Sequence, residues 1–310
     1  MKIGFLFSGQ GSQSVGMGKD IYEKYEVARK VYDEVEKITG IDVADITFNQ
    51  PAEILNQTKY TQICILTMSL AILNVLEDKN IKAEDSAGLS LGEYASLIYS
   101  GALSFEDGIS IVKKRGEYMQ NLLPEGDWKM AAVLGLDEES VISACNSVKN
   151  GFVVPVNFNT IGQIVVSGDA EGISELQKIA TEYGAKKVRV LNTAGPFHTE
   201  KLVDAANALR KDLKKIKFHE FNSKVFKNID GYEYKNNDNM ADILARHIVN
   251  PVKFLDVLKN MYADGVDTFI EMGPGKTLSG FMRKISRNVT MYNIENMADF
   301  EKVVAAVKGE

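Results

Sequence analysis

The chain has 310 residues, 45% of them hydrophobic and 25% charged, which is the composition of a globular protein with ample apolar material for a core of about two domains. Its 42 acidic residues outnumber the 36 basic ones and give a formal net charge of -6. We therefore expect neither nucleic acid nor a membrane as a partner, because the chain as a whole has no electrostatic attraction to phosphate backbones or anionic lipid.

The first predicted element is a buried strand over residues 2–8, followed by a glycine-rich loop, Gly-Gln-Gly-Ser-Gln, at residues 9–13. The apolar part of this strand is too short for the apolar core of a signal peptide. Helices are predicted over residues 20–39 and 61–79. The charge-free stretch 61–76 falls short of the ~20 apolar residues that span a bilayer, so it predicts a helix buried in the core.

A short, weakly apolar segment then leads into Gly-Leu-Ser-Leu-Gly at residues 88–92, with another helix predicted from Glu93. This sequence matches Gly-x-Ser-x-Gly, the nucleophile elbow, in which glycines on both sides of a serine let the backbone turn sharply and expose the hydroxyl. The alternative is an ordinary glycine-flanked turn with a helix-capping serine. The position between an apolar segment and a helix favours the elbow, so Ser90 is the predicted nucleophile.

Between residues 127 and 193 short strands alternate with helices. Strands are predicted at 130–136, 152–157, 163–167 and 187–191, and helices at 138–148 and 172–183. This β-α-β-β-α-β order is ferredoxin-like. It predicts an α/β fold in which a small domain, residues 127–194, is inserted into a larger domain formed by residues 1–126 and 195–310. Further strands are predicted at 223–229 and 267–271, within the second part of the larger domain.

A serine hydroxyl needs a base to become a good nucleophile at neutral pH, and the chain has three histidines. His219 lies in a charged stretch and is predicted to be a solvated structural residue. His198 follows a Gly-Pro turn at the junction between the predicted domains, where loops commonly hold catalytic groups. His247 lies at the end of a predicted helix before a proline, where a C-terminal cap is the alternative role. His198 is the preferred base, and His247 stays a candidate.

No cofactor or metal site is predicted. The loop at residues 9–13 is followed by Ser14 where a dinucleotide fingerprint needs glycine, and Ile270 stands where a phosphate loop needs glycine. The loop is better suited to direct backbone N–H groups at a developing oxyanion. Cys64 and Cys145 lack Cys-x-x-Cys spacing, which is typical of reduced core thiols and predicts a cytoplasmic protein.

Five motifs follow one another along the chain: Gly-Gln-Gly-Ser-Gln at 9–13, Gly-Leu-Ser-Leu-Gly-Glu-Tyr at 88–94, Lys-Arg-Gly at 114–116, Pro-Phe-His at 196–198 and Glu-Met-Gly-Pro-Gly-Lys at 271–276. In this order they resemble the malonyl-CoA:acyl carrier protein transacylases, and the match runs nearly end to end. The resemblance implies an α/β-hydrolase-like large domain with an inserted ferredoxin-like small domain. It also implies malonyl-CoA and acyl carrier protein as partners, no cofactor and a monomer.

The resemblance further implies roles for single residues. Ser90 takes malonyl from coenzyme A as an ester and passes it to the phosphopantetheine thiol of acyl carrier protein, with His198 moving the proton. The main-chain N–H groups of Gln10 and Leu91 form the oxyanion hole. Arg115 holds the malonyl carboxylate, for which the fork of guanidinium donors is well suited.

Other positions match the family or depart from it. Gln62 and Asn159 match polar positions near the pocket, with a scaffold role as the alternative for each. Phe197 matches the form usual in malonyl-selective members and leaves little room for methylmalonyl. Leu89 stands where many members have histidine. His247 replaces a glutamine whose main-chain carbonyl orients the catalytic histidine, and a carbonyl does not depend on the side chain.

Two rival functions stay open on the sequence alone. A serine hydrolase would use the same serine and histidine but has no need of Arg115 as a carboxylate anchor. A carrier-binding module would not need the Ser90 and His198 pair. Two basic groups are candidate docking surfaces for an acidic carrier protein, with ordinary solvated side chains as the alternative: Lys186, Lys187 and Arg189, and Lys211, Lys214 and Lys215.

Overall fold

The computed structural model describes residues 1–191 and 195–309. The first part of the chain forms β1 (Ile3–Phe7), α1 (Lys19–Lys24), α2 (Glu26–Thr39), α3 (Val43–Phe48), α4 (Ala52–Leu55), α5 (Thr58–Asp78), β2 (Asp85–Gly88), α6 (Gly92–Tyr99) and α7 (Phe105–Asn121). The middle part forms β3 (Trp128–Leu134), α8 (Glu138–Asn146), β4 (Val153–Thr160), β5 (Gln163–Asp169), α9 (Ala170–Glu182) and β6 (Lys187–Val190). After a 3-10 turn at Glu200–Leu202, the last part forms α10 (Val203–Leu213), β7 (Lys224–Val225), α11 (Met240–His247), α12 (Phe254–Ala263), β8 (Thr268–Met272), α13 (Thr277–Ile285), β9 (Thr290–Ile294) and α14 (Met297–Lys308).

In the described residues, five strands form a parallel sheet in the order β7-β2-β1-β8-β9. Phe5 and Phe7 of the central strand belong to a core cluster with residues of α2, α5 and α7, whereas Leu6 belongs to a second cluster with residues of α12 and α13. Apolar residues on both faces of β1 are thus explained by helices on both sides of the sheet. Phe7 pairs with Gly88, so β1 and β2 end side by side and the loops that follow them meet.

Four further strands form an antiparallel sheet in the order β4-β5-β3-β6. The element order from β3 to β6 is the β-α-β-β-α-β order that the sequence predicts. Val141 of α8 and Leu176 of α9 belong to a core cluster on one face of this sheet, whereas Met130 belongs to the main core cluster on the other. Asn157 and Val252 pair in an isolated bridge, which ties this sheet to the rest of the molecule.

Helix α5 runs through the core, as the charge-free stretch predicts. By length and composition alone it could cross a membrane, but 83% of its apolar 18-residue stretch is buried inside the protein. Cys64 on this helix and Cys145 on α8 are buried free thiols, and burial raises the pKa of both to about 12. Both cysteines are therefore core residues, in agreement with the sequence prediction.

Several predicted elements differ in the structure. The helix predicted over residues 20–39 is two helices, because Tyr25 adopts an extended backbone conformation between α1 and α2. The strand predicted at 223–229 is only the two-residue β7, and Phe226, which follows it, also pairs with Glu233 in an isolated bridge. The sequence does not predict β9, an edge strand whose residues are mostly half-buried. The predicted domain boundary after residue 194 adjoins residues 192–194, which lie outside the described residues.

Candidate active site

The loops that follow β1 and β2 are in direct backbone contact. A Cβ atom added at Gly9 would lie 2.4 Å from the carbonyl oxygen of Leu89, and one at Gly92 would lie 2.2 Å from the carbonyl oxygen of Phe7. A Cβ at Gly88 would lie 2.0 Å from the carbonyl carbon of Gly92. Only glycine fits at these three positions, which explains why both loops are rich in glycine.

Ser90 lies at the sharp turn between β2 and α6. Its φ of 52° is in the left-handed region that non-glycine residues rarely adopt, as expected for a nucleophile elbow. The side chain of Asn228 stabilises the turn on both sides: its Oδ1 accepts the Ser90 N–H at 2.8 Å and its Nδ2 donates to the Gly88 carbonyl at 2.7 Å. The strained turn is therefore held by hydrogen bonds from outside it.

The structure brings Ser90 and His198 together, with 2.8 Å between Ser90 Oγ and His198 Nε2. The other ring nitrogen, His198 Nδ1, lies 2.9 Å from the main-chain carbonyl oxygen of His247. Because a carbonyl can only accept, Nδ1 carries the proton and Nε2 presents a lone pair to the serine. His247 thus contacts the histidine through its backbone, where the sequence comparison with the family expects a carbonyl.

The electrostatic surroundings keep His198 neutral. Burial lowers its pKa well below the ordinary value of 6.5, and the positive charges that His247 and Arg115 can carry lower it further. Hydrogen bonds to the carbonyls of His247 and Asn250 act in the opposite direction but are weaker causes. A neutral imidazole next to a hydroxyl can accept its proton.

Arg115 of α7 is a buried cation beside the serine. Its Nη2 donates to Ser90 Oγ at 3.1 Å and its Nη1 donates to Gln62 Oε1 at 2.7 Å. The guanidinium also lies over the ring of Tyr94, 5.5 Å from its centroid. No salt bridge within residues 1–191 and 195–309 involves Arg115, although its exposure is only 1%. A buried cation of this kind is suited to bind an anion that comes with a ligand.

Three of the remaining predicted site residues line a cleft of about 540 Å³ between the two sheets. Gln10 and Phe197 line this cleft together with Ser90 and His198. Asn159 lines it too, and its buried Oδ1 has no hydrogen-bond partner among the described residues. Gln62 links the site internally, since its Nε2 donates to Gln10 Oε1 at 3.3 Å.

One histidine from the sequence analysis lies elsewhere. His219 is exposed and lines a separate depression next to Lys214, in agreement with the solvated position predicted for it. In contrast, sequence reasoning does not single out Asn228, Glu93 or Tyr234, which form hydrogen bonds at the back of the site. A signal for Asn228 does exist: it follows the strand next to β2, at the carboxyl edge of the parallel sheet, where functional side chains gather.

These features are those of an α/β protein of the serine–histidine acyl-transfer class. A model of the acyl transferase domain family matches residues 4–303. The malonyl CoA-acyl carrier protein transacylase of Bacillus subtilis is 36% identical over 311 residues, which cover 100% of this chain and 98% of that protein. The crystal structure of the enzyme of the same name from Clostridium perfringens is 40% identical, with a TM-score of 0.94, and the match covers 100% of this chain and 98% of that one.

A second solved structure is similar over its whole length. It is a malonyl-transacylase in complex with its type II polyketide synthase acyl-carrier protein, 31% identical with a TM-score of 0.94, and the match covers 100% of both chains. The chain therefore belongs to the acyl transferase family and, within it, to the malonyl-CoA:acyl carrier protein transacylases.

Proposed function

We propose that Ser90 carries the malonyl group on its way from coenzyme A to the phosphopantetheine thiol of acyl carrier protein, and that His198 moves the protons. The overall transfer is the reaction of the family and supplies malonyl groups for fatty acid or polyketide synthesis. The observation that supports the residue roles most directly is the 2.8 Å contact between Ser90 Oγ and His198 Nε2.

In the first half-reaction, Ser90 Oγ attacks the thioester carbonyl carbon of malonyl-CoA while His198 Nε2 takes the hydroxyl proton. The tetrahedral intermediate then collapses, the C–S bond breaks, and His198 gives the proton to the departing sulfur. The products are a malonyl ester on Ser90 and free coenzyme A. The lowered pKa of His198 supports this role, because the imidazole is neutral before the proton arrives.

In the second half-reaction, the thiol of phosphopantetheine gives its proton to His198, and its sulfur attacks the ester carbonyl carbon. The bond between that carbon and Ser90 Oγ breaks, and His198 returns the proton to the serine. The enzyme is regenerated and the carrier protein leaves as a malonyl thioester. Coenzyme A leaves before the carrier protein reacts, so the kinetics are ping-pong.

The oxyanion hole is assigned to the main-chain N–H groups of Gln10 and Leu91. Backbone contact between the loops after β1 and β2 supports this assignment, because it brings residues 9–10 close to residues 89–91. The N-terminal end of α6, which begins at Gly92, adds a partial positive charge near the same point. Both effects stabilise negative charge that develops on the carbonyl oxygen.

Binding and selection of malonyl are assigned to four side chains. Arg115 binds the free carboxylate with its guanidinium fork, and Gln62 holds that guanidinium through the hydrogen bond at 2.7 Å. Phe197, which is buried at the cleft wall, limits the space for a methyl branch, so methylmalonyl is disfavoured. Asn159 is a further polar contact for the substrate, because its unpaired Oδ1 faces no protein donor among the described residues.

We infer an α/β-hydrolase-like catalytic domain, residues 1–126 and 195–310, with a ferredoxin-like domain, residues 127–194, inserted in it. The parallel sheet and the separate antiparallel sheet with order β4-β5-β3-β6 support this division. The buried free thiols support a cytoplasmic location. We further propose a monomer that needs no cofactor and binds neither nucleic acid nor membrane, on the grounds of its composition and its family.

The test is intact-mass measurement after mixing the protein with malonyl-CoA. The wild-type chain should gain one malonyl group, Ser90→Ala should gain none, and His198→Ala should acylate about 100- to 10,000-fold more slowly. Ser96→Ala is a matched control, because Ser96 is a buried serine of α6 without a hydrogen-bond partner among the described residues. A malonyl adduct on Ser90→Ala would overturn the assignment.

A further inference from the structure

Glu93 places a carboxylate beside the candidate catalytic residues, in the first turn of α6. Its exposure is 1%, and a buried carboxylate is costly unless other groups pair with it. None of the proton transfers described above uses it. Its place in the core must therefore be explained by the groups that it holds.

Three groups converge on this carboxylate. The hydroxyl of Tyr234 donates to Oε1 at 2.5 Å. Nδ1 of His247 lies 3.2 Å from Oε2, and the backbone N–H of Asn228 donates to Oε2 at 3.4 Å. The N-terminal turn of α6 favours negative charge as well. Glu93 is thus the centre of a buried polar network.

Two members of this network hold the proposed nucleophile and base. The main-chain carbonyl of His247 accepts the hydrogen bond from His198 Nδ1. The side chain of Asn228 bonds to both sides of the turn that carries Ser90. One carboxylate therefore contacts both the residue that orients the base and the residue that shapes the nucleophile turn.

We propose that Glu93 is a positioning residue that keeps Ser90 and His198 at reacting distance by acting through His247 and Asn228. The acid of a Ser-His-Asp triad orients the histidine by direct contact with it, whereas Glu93 acts on the histidine indirectly, through a neighbouring residue. The His247 side chain has a specific part in this, because its ring reaches the carboxylate while its carbonyl orients the base. The inference rests on the roles proposed for Ser90 and His198.

The test compares Glu93→Gln in the wild-type chain and in a His247→Gln background. In the wild-type chain we expect kcat for malonyl transfer to fall about 10- to 100-fold, the effect of a small misplacement of reacting groups. KM for malonyl-CoA should change less than about twofold, because Arg115 and Gln62 are untouched. In the His247→Gln background the loss should be smaller, since residues that act through each other are not additive and only the route through Asn228 remains.

Asp85→Asn is the matched control, because Asp85 is a buried carboxylate at the start of β2 that pairs with Lys2 instead of the site. Asp85→Asn is expected to lower thermal stability, whereas kcat, calculated per molecule of enzyme that malonyl-CoA can acylate, should stay unchanged. Equal losses of kcat for Glu93→Gln in both backgrounds, or no loss, would overturn the inference. If Glu93→Gln does not fold, Tyr234→Phe takes its place, because it removes the hydroxyl that donates to Glu93. Its kcat is then compared in the wild-type chain and in the His247→Gln background.

The outcome is separable from that of the proposed function. If Ser90→Ala or His198→Ala transfers malonyl normally, the proposed function fails. If both variants lose transfer while Glu93→Gln keeps its kcat, only the positioning role of Glu93 fails.

Discussion

Arg115 is a buried guanidinium that donates to Ser90 and Gln62 and has no salt bridge within the described residues. We expect Arg115→Ala to lower kcat/KM for malonyl-CoA about 10- to 100-fold, the size of a lost hydrogen bond to a charged group. Acetyl-CoA has no carboxylate to bind, so its reaction should be spared or improved. Steady-state rates with the two thioesters measure the difference.

Arg115→Lys is the matched control for this prediction. It keeps the charge but loses the two-pronged geometry, so its malonyl activity should lie between that of the wild type and Arg115→Ala. An equal loss with malonyl-CoA and acetyl-CoA would contradict a carboxylate-binding role. It would also favour the alternative of a serine hydrolase, which has no need of a carboxylate anchor.

His198 should determine the acid limb of the pH profile. The sequence alone places that limb at about pH 6 to 7, where an ordinary histidine titrates. Burial and the nearby His247 and Arg115 lower the pKa of His198, so the neutral, active form persists to lower pH than that. The limb should therefore lie below the range of an ordinary histidine.

His247→Gln tests the cause of this shift. It removes the imidazole whose coulombic effect lowers the pKa of His198 but keeps the main-chain carbonyl, so the acid limb of kcat/KM should move to higher pH. A limb of the wild type centred at or above the ordinary histidine pKa would contradict this account. So would an unchanged limb in the variant.

Among the elements, strand, turn and helix around Ser90 were predictable, because the glycines at 88 and 92 have a single physical explanation. Each would collide with backbone if it carried a Cβ atom. The alternating strands and helices from β3 to β6 were predictable for a similar reason, since their apolar residues follow a clear period. These elements can be predicted from local sequence because the backbone geometry of each turn, strand or helix restricts which residues fit there.

Other elements depend on contacts that are distant in sequence. Tyr25 interrupts a continuous helical pattern between α1 and α2, where its ring packs 5.3 Å from that of Phe300. Asn228 and Tyr234 reach the site only because the short β7 pairs with β2. Their hydrogen-bond partners are more than 130 residues away along the chain, so local sequence indicates at most that Asn228 follows a strand and does not indicate which groups it bonds to.

At the scale of the whole molecule, the cleft between the two sheets limits where a carrier protein can dock. Arg189 lines that cleft on β6, with Lys187 on the same strand. Lys214 instead lines the separate depression near His219, and Lys215 pairs with Asp212. The basic residues of β6 are therefore better placed than those at the end of α10 to guide an acidic carrier to Ser90.

We expect Lys187→Glu to raise KM for acyl carrier protein severalfold and to leave KM for malonyl-CoA unchanged. Lys211→Glu is the matched control, because Lys211 is also exposed but lies on α10. Kinetics at low and high salt would check the electrostatic origin, since salt should reduce the difference. Similar effects of the two substitutions would argue against docking at β6.

The close backbone contact beneath Ser90 also determines how such a pocket can be redesigned. Positions 9, 88 and 92 accept no larger residue without forcing the loops apart, so the two loops beneath Ser90 cannot be altered to admit bulkier acyl groups. The opposite wall is built from side chains such as Phe197, Met130 and Val165, which can be shortened without moving the main chain. Substitutions that enlarge the pocket should therefore be made among these side chains and not in the two glycine loops.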